Sequence, residues 1–459
     1  MRQSLSHSKA LLAILSSGCL LLGVFALPRL RLAQQERPVV TVGPADADVI
    51  GTDNVAIQKA IDRVAQAGGG TVLLKAGNYT LNNSVRLASH LTLRGEGADK
   101  TILKKAAGVR SPLVLDADYG ELQATVQDAR GFAPGMGVTI VDKQQRSGWT
   151  PSVRTIVRIE GNTLYFDRFL HMDYSVENEG EVFNTFPLIA GYEVEDVQVE
   201  SLTVDGNRVG FVAGSTTVAG SSDRDALDGC QGGAIYFFHS KHMTIRNCVV
   251  RDYPGDGIST QFVEHPVVEN CEAYGNAQLG IHLGTGALNG VVRFNRAHDN
   301  GQDGLYLCWR VQHARYESNQ SWSNGRDGIS LGHKDTDNTF VKNTVSGNGR
   351  AGIYFRDEPE RNAAHRNTFR ENLIEDNGRA GTPGYGIRVE GETNNLIFAG
   401  NTIRNSLKGA RATQTVGIYL GPKTDYITCD RNLFEGVSKQ AIVDESGGAH
   451  NQVEHPTGK

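Results

Sequence analysis

The chain is poor in aromatic side chains, in cysteine motifs and in positive charge. Aromatics make up 7% of its 459 residues, and the formal net charge is −5. Without the four basic residues among positions 1–33 the balance falls to −9. A mildly acidic chain lacks the basic face that nucleic acid requires, so nucleic acid is excluded as a partner. A local basic strip for an anionic sugar polymer is not excluded. Cysteines 230, 248, 271, 308 and 429 form no CxxC or Cys/His spacing, which argues against a metal ribbon or redox motif. Cys248 and Cys271 are expected to stack on neighbouring coils as small buried hydrophobes. Glycine is abundant instead, at 54 residues. So much glycine disfavours long helices and fits many short strands joined by tight turns.

What the chain does contain is a repeat. Across residues 301–358 a Gly precedes an apolar-x-apolar triplet three times, at Leu305, Ile329 and Ile353, 24 residues apart each time. Asn295, Asn319 and Asn343 keep the same interval. Two landmarks at a fixed period mark a solenoid. The strand marks extend to Ile235, Ile258, Ile281, Ile387, Ile418 and Ile442. The Asn marks extend to Asn247, Asn270, Asn372, Asn401 and Asn432. A buried amide must be satisfied, so the Asn column predicts an internal hydrogen-bonded ladder.

Four segments follow. Residues 1–33, with Arg2 and Lys9 before the apolar run 10–27 and Ala33 as a cleavage point, read as an export signal; an uncleaved membrane anchor is the alternative. The protein is therefore expected to be secreted or periplasmic, without membrane contact beyond that signal. Residues 38–110 hold a capping helix near 53–67, ended by Gly68-Gly69-Gly70, and the first coils. Residues 111–190 break the period and alternate like a small inserted antiparallel β unit, with a hairpin turn at Glu160-Gly161-Asn162. Residues 191–450 carry the main solenoid. Oligomeric state is not fixed by the sequence.

A helix followed by GGGTVLL and AGNY resembles the N-terminal cap of pectate-lyase-like proteins. With the repeat, it makes the chain similar to the right-handed parallel β-helix superfamily of pectate lyases, polygalacturonases and alginate lyases. The resemblance implies an all-β fold and an extracellular acidic polysaccharide as partner. Its activity stays open, because one fold hosts unrelated chemistries.

In such a solenoid the outward residues of one strand per coil line a groove, with adjacent coils about 4.8 Å apart. That column is expected to be Tyr236, Ser259, His282, Tyr306, Ser330, Tyr354, Arg388 and Tyr419. Trp309, Arg310, His333, Lys334, Arg356 and Asp357 follow just past the strands. Aromatic rings offer sugars a stacking face, and Arg pairs bidentately with carboxylates. Lys334 with Asp337-Asn338, and then Arg356, resembles the Lys-x-x-Asp-Asn to Arg arrangement of alginate-lyase and chondroitin-lyase β-helix enzymes. That resemblance implies Lys334 as base and Arg356 as its helper; the same Lys and Asn could equally be loop residues. The acidic calcium ligands of those lyases have no clear match. β-Elimination of a uronate requires removal of the proton α to a neutralised carboxylate. Lys334 or His333 is the expected base, Tyr306 the proton donor, and Arg356 and Arg310 the carboxylate partners. Trp309 and Tyr354 are expected to stack on sugar, with His282, Arg388 and Asp357 also lining the groove. Asp303 and Asp327, on consecutive coils, suit a Ca²⁺ site, a glycosidase carboxylate pair or simple Asp-Gly turns. A non-catalytic surface solenoid is the remaining reading.

Overall fold

The computed structural model describes residues 37–208, 223–437 and 439–454. The expected export signal lies outside the described residues.

Asn54–Gln66 is an α-helix capped by Asp53, whose carboxylate accepts the Ala56 N–H at 2.8 Å. Ile57, Ala60, Ile61 and Val64 are buried along one face, which closes the open end of the first coils. Three long parallel sheets then wind side by side. One has 14 strands, from Val49–Ile50 to Gln452–Val453; two have 11 each. The third sheet carries the site. It begins at Val85–Arg86, continues from Ile189–Tyr192 through Ile281–Leu283 and Leu305–Leu307, and ends at Gln440–Asp444. Its nine apolar marks, Ile235 to Ile442, pair directly from coil to coil as their spacing predicts.

Inside, the Asn ladder runs from Asn295 to Asn432. Asn319 shows the pattern: its Oδ1 accepts the N–H and the Nδ2 of Asn295, both at 3.0 Å. Its own Nδ2 donates to Val292 O and Asn343 Oδ1. Asn247 and Asn270 are not rungs. Both take left-handed backbone (φ 53° and 52°) one residue early, and Cys248 and Cys271 occupy the ladder position. The Cys271 N–H donates to Asn295 Oδ1 and its thiol to Ile245 O. A second ladder, unforeseen from the repeat, joins Asn276, Asn300, Asn324, Asn348 and Asn377 and ends on Gln414.

The insertion is a six-stranded antiparallel sheet, bounded by Arg110–Pro112 and Glu181–Phe183. It has its own apolar core, including Val126, Phe132, Ile140, Leu164 and Val182. The hairpin between Ser152–Glu160 and Thr163–Phe166 turns at Gly161, with φ 58°.

Candidate active site

The outward column of the third sheet is continuous in register: Tyr236, Ser259, His282, Tyr306, Ser330, Tyr354, Arg388, Tyr419. At its centre three coils converge on Arg356. The guanidinium donates to Ser330 Oγ at 3.0 Å, Leu307 O at 2.6 Å and Asp335 Oδ2 at 3.2 Å. It also lies 4.6 Å from the Tyr306 ring centre. Only 12% of the side chain is exposed. Gly332 makes room for it, because a Cβ there would sit 2.7 Å from Arg356 Nε. Asp335 is fully buried and also accepts the Val311 and Gly332 N–H groups. Burial raises its carboxyl to about 7, against the opposing pull of Arg356. Burial also raises the Tyr306 hydroxyl, which keeps its proton.

His282 sits beside Tyr306, edge to face with ring centres 5.0 Å apart. The ring is buried, at 3% exposure: its Nδ1 is 2.8 Å from Asp256 Oδ2, which fixes it, and its Nε2 has a long 3.4 Å contact to Cys308 O. His333 is more fully engaged. Nδ1 lies 2.8 Å from Cys308 Sγ, Nε2 2.5 Å from Glu358 Oε1, and the ring stacks on Trp309 at 4.7 Å. Burial and then Arg356 push this imidazole down to about 4. A neutral ring that donates from Nε2 and accepts the Cys308 S–H at Nδ1 satisfies all three groups, leaving no nitrogen free to act as base.

The other expected residues divide. Trp309, 40% exposed, and Arg310, exposed, project from the rim. Lys334 shares the turn with His333 and has left-handed backbone (φ 67°). Its N–H donates to Asn362 O, while its ammonium makes no hydrogen bond or ion pair with any described residue, Arg356 included. The Arg356 guanidinium is engaged by Asp335, Ser330 and Leu307 O. Further along, Tyr354 donates to Glu390, Arg388 is ion-paired with that same Glu390, and Asp357 is exposed.

Asp303 and Asp327 are both fully buried. The Asp327 N–H donates to Asp303 Oδ1 at 2.9 Å, and Arg350 grips the Asp327 carboxylate through two nitrogens. Burial, reinforced by Asp327, raises Asp303 to about 7. Closed off and neutralised in this way, the pair opposes no sugar across a cleft. It does not fit Ca²⁺ either, which needs several free oxygen donors. Among the described residues no group of three or more His, Cys, Asp or Glu is placed to hold a metal ion.

The repeat gave no sign of the groove's upstream wall. Trp149, from the insertion, leans over Phe238 and Phe262 with ring centres 5.8 Å away in each case. Its carbonyl accepts from His171 Nε2 at 3.0 Å and Gln231 Nε2 at 2.8 Å, tying insertion to solenoid.

A parallel solenoid with one aromatic and cationic sheet face, walled by an insertion, defines a β-helix protein of the groove-bearing kind. The chain belongs to the family described as right handed beta helix region, whose model matches residues 188–369 and 308–457. Solved structures agree in fold. The A-module of the mannuronan C-5 epimerase AlgE4 of Azotobacter vinelandii is 21% identical with a TM-score of 0.56, covering 90% of this chain and 100% of its own. The A-module of AlgE6 from the same organism is 17% identical with a TM-score of 0.55, covering 87% and 93%. A hyperthermoactive exopolygalacturonase from Thermotoga maritima is 12% identical with a TM-score of 0.54, covering 89% and 93%. At these identities the likeness is one of fold. No curated protein matches the sequence. Among the described residues no helix is long and apolar enough to cross a membrane.

Proposed function

We propose that this is an exported enzyme acting on an acidic, uronate-containing polysaccharide laid along the third sheet, and that it removes the proton α to the uronate carboxylate, leading to β-elimination. The observation that carries this reading is the pairing of two proton-carrying side chains on adjacent coils, His282 and Tyr306, edge to face at 5.0 Å above a buried Arg356. His282, held at Nδ1 by Asp256, is the base through Nε2. Tyr306, kept protonated by burial, delivers a proton to the leaving oxygen. Lys334 and Arg310, on the rim, neutralise the carboxylate and so acidify the proton beside it. Arg356 positions Tyr306 from below. Trp309 and Tyr354 offer stacking faces. Each step balances: the C5 proton goes to His282, the C4–O bond breaks as the C4–C5 double bond forms, and the departing oxygen takes the Tyr306 proton.

C5 epimerisation is a second reading supported by the same pair, since it begins with the same abstraction and needs a second proton carrier for the opposite face. Alginate, pectate and glycosaminoglycans incubated with the mature protein in heavy water separate the readings. Ultraviolet absorbance of an unsaturated uronate supports elimination. Deuterium at C5 without absorbance supports epimerisation. New reducing ends without either would mean hydrolysis, and binding without any product would mean a non-catalytic solenoid. Either of those last two results removes the proposal.

A further inference from the structure

An unassigned feature lies upstream of the His282–Tyr306 pair, where the inserted sheet overhangs the third solenoid sheet. A cavity of about 640 Å³ opens there, within the range that seats a small ligand. Its floor is aromatic. Tyr192, 40% exposed, meets Tyr236 at 5.8 Å and Phe238 at 6.4 Å between ring centres. Trp149 forms the overhang.

The wall is cationic. Arg86, Arg154 and Arg168 all line the cavity, from three separate strands or turns. Arg154 is only 8% exposed, yet it has no carboxylate partner among the described residues. Its hydrogen bonds run to Phe169 O, Val153 O, Ser152 Oγ and His171 Nδ1, all neutral acceptors. Arg86 and Arg168 share one carboxylate, Asp167, at 3.7 and 3.5 Å. Asp167 is itself pinned by the Thr155 N–H at 2.8 Å. Asp167 lies behind the lining, and the acid on the lining itself is Glu193; it is exposed, and its carboxylate has no ion pair among the described residues. His171 adds no charge. Burial holds its imidazole below the usual range, Arg154 and Arg168 push it the same way, and its Nε2 N–H is spent on Trp149 O.

A buried guanidinium bonded only to neutral acceptors is costly unless an anion completes its surroundings. Two further guanidiniums, half-exposed beside it, share a single acid; Arg168 also donates from Nη2 to Val153 O at 3.1 Å, and the remaining N–H groups of the two are open to a planar carboxylate. The aromatic floor supplies what a simple anion would not use, a stacking surface for a sugar ring.

We infer that this cavity is a binding subsite for a carboxylate-bearing sugar, in which Arg86 and Arg168 grip the carboxylate, Arg154 supplies buried charge, and Tyr192 and Trp149 contact the ring. The inference rests on the acidic-polysaccharide reading above and adds to it a second, non-catalytic point of recognition. Tyr236 and Phe238 belong to the same sheet face as His282 and Tyr306, but Ser259 between them is fully buried, with its hydroxyl donating to Gly229 O, so the 229–230 turn sets this subsite apart from the proposed reacting pair.

Calorimetric titration of the full mature protein with short oligogalacturonates and oligomannuronates, with neutral oligosaccharides of equal length, and with sodium sulfate tests it. Oligouronate binding is expected to weaken about tenfold or more in the double variant Arg86→Ala/Arg168→Ala and to weaken with salt. Both side chains are about half-exposed, at 51% and 57%, so the double variant is expected to fold. Equal affinity for neutral and acidic sugars, sulfate binding as tight as oligouronate binding, or wild-type affinity in the double variant would each overturn the subsite. Arginine-dependent oligouronate binding without turnover of any polymer would leave the subsite standing and remove the catalytic reading.

Discussion

Arg356 stacks on Tyr306 with its guanidinium 4.6 Å from the ring centre, and the same guanidinium bonds Asp335 at 3.2 Å. The arginine therefore links the outward tyrosine to a fully buried carboxyl on the next coil. Tyr306→Phe keeps the ring, and hence the stack, but removes the proton. Turnover is expected to fall by roughly 10²–10⁴, with melting temperature nearly unchanged. Arg356→Ala does the opposite to stability: it strips a buried ionisable group of its partner and is expected to cost about 3–5 kcal/mol. Urea unfolding alongside a turnover assay distinguishes the two. A Tyr306→Phe variant of full activity would remove the tyrosine from the mechanism.

Asp303 makes stability depend on pH. Its carboxyl is raised to about 7 by burial and by Asp327, whereas in the unfolded chain it returns to the ordinary value near 3.8. Between those values the native state holds a proton that the unfolded state has lost, so stability falls as pH rises from about 4 to about 7 and then levels off. Asp303→Asn removes that dependence. The variant should gain on the wild type by up to about 1.4 kcal/mol per pH unit across this window, and no further above it. Denaturation of both proteins at a series of pH values checks it; parallel curves would mean that Asp303 is ionised in the fold throughout.

The coil architecture was legible because it is periodic. Residues 24 apart fall side by side, so Ile281, Leu305 and Ile329 could be placed, and with them the outward column His282, Tyr306, Ser330. What periodicity does not carry is where long side chains end. Arg356 turns back across two coils to Leu307 O and Asp335, contacts that the repeat did not foretell. Asp335 and Glu358, in plain view in the sequence, gained meaning only when Arg356 and His333 were seen to reach them. The basic wall was hidden for another reason. Arg154 and Arg168 lie in the aperiodic insertion, and their approach to Arg86 and Tyr192 depends on how that unit folds back over the solenoid. Cys248 and Cys271 mark a third limit: a one-residue offset put cysteine where the repeat called for asparagine.

That offset is testable. Asn319→Ala would leave the buried backbone N–H of Asn295 and one of its two Nδ2 N–H groups without an acceptor, the other staying on Val268 O, and would take the amide donor from the Val292 carbonyl, at about 1–3 kcal/mol for each group. A loss of at least ~3 kcal/mol is expected. Asn270 is not a rung and sits in left-handed backbone, so Asn270→Gly should cost only a few tenths of a kcal/mol, because glycine accepts that conformation freely. Cys271→Asn places an amide where it can donate to both Asn295 Oδ1 and Ile245 O, and should unfold within about 1 kcal/mol of the wild type. Denaturant midpoints of the three variants decide the matter; an Asn270→Gly variant as damaged as Asn319→Ala would return Asn270 to the ladder.

Cys308, His333 and Glu358 stand in a line, with Sγ 2.8 Å from Nδ1 and Nε2 2.5 Å from the carboxylate. That order of thiol, imidazole and acid is the pattern of an activated nucleophile. Burial argues the other way. It raises the Cys308 thiol to about 12, and it lowers His333 to about 4, so the imidazole is a poor acceptor for the thiol proton. The stable arrangement is a neutral chain in which Cys308 donates to His333 and His333 donates to Glu358. Its effect is to fix the His333 ring against Trp309, 4.7 Å away, and so to shape the groove rim. Native protein at mildly alkaline pH should therefore resist iodoacetamide, and urea should release the reaction, because the thiolate is the reactive form. Cys308→Ser retains a donor to His333 and should keep turnover within about twofold. Rapid native alkylation at Cys308 with loss of turnover would replace the His282–Tyr306 chemistry with a thiol mechanism.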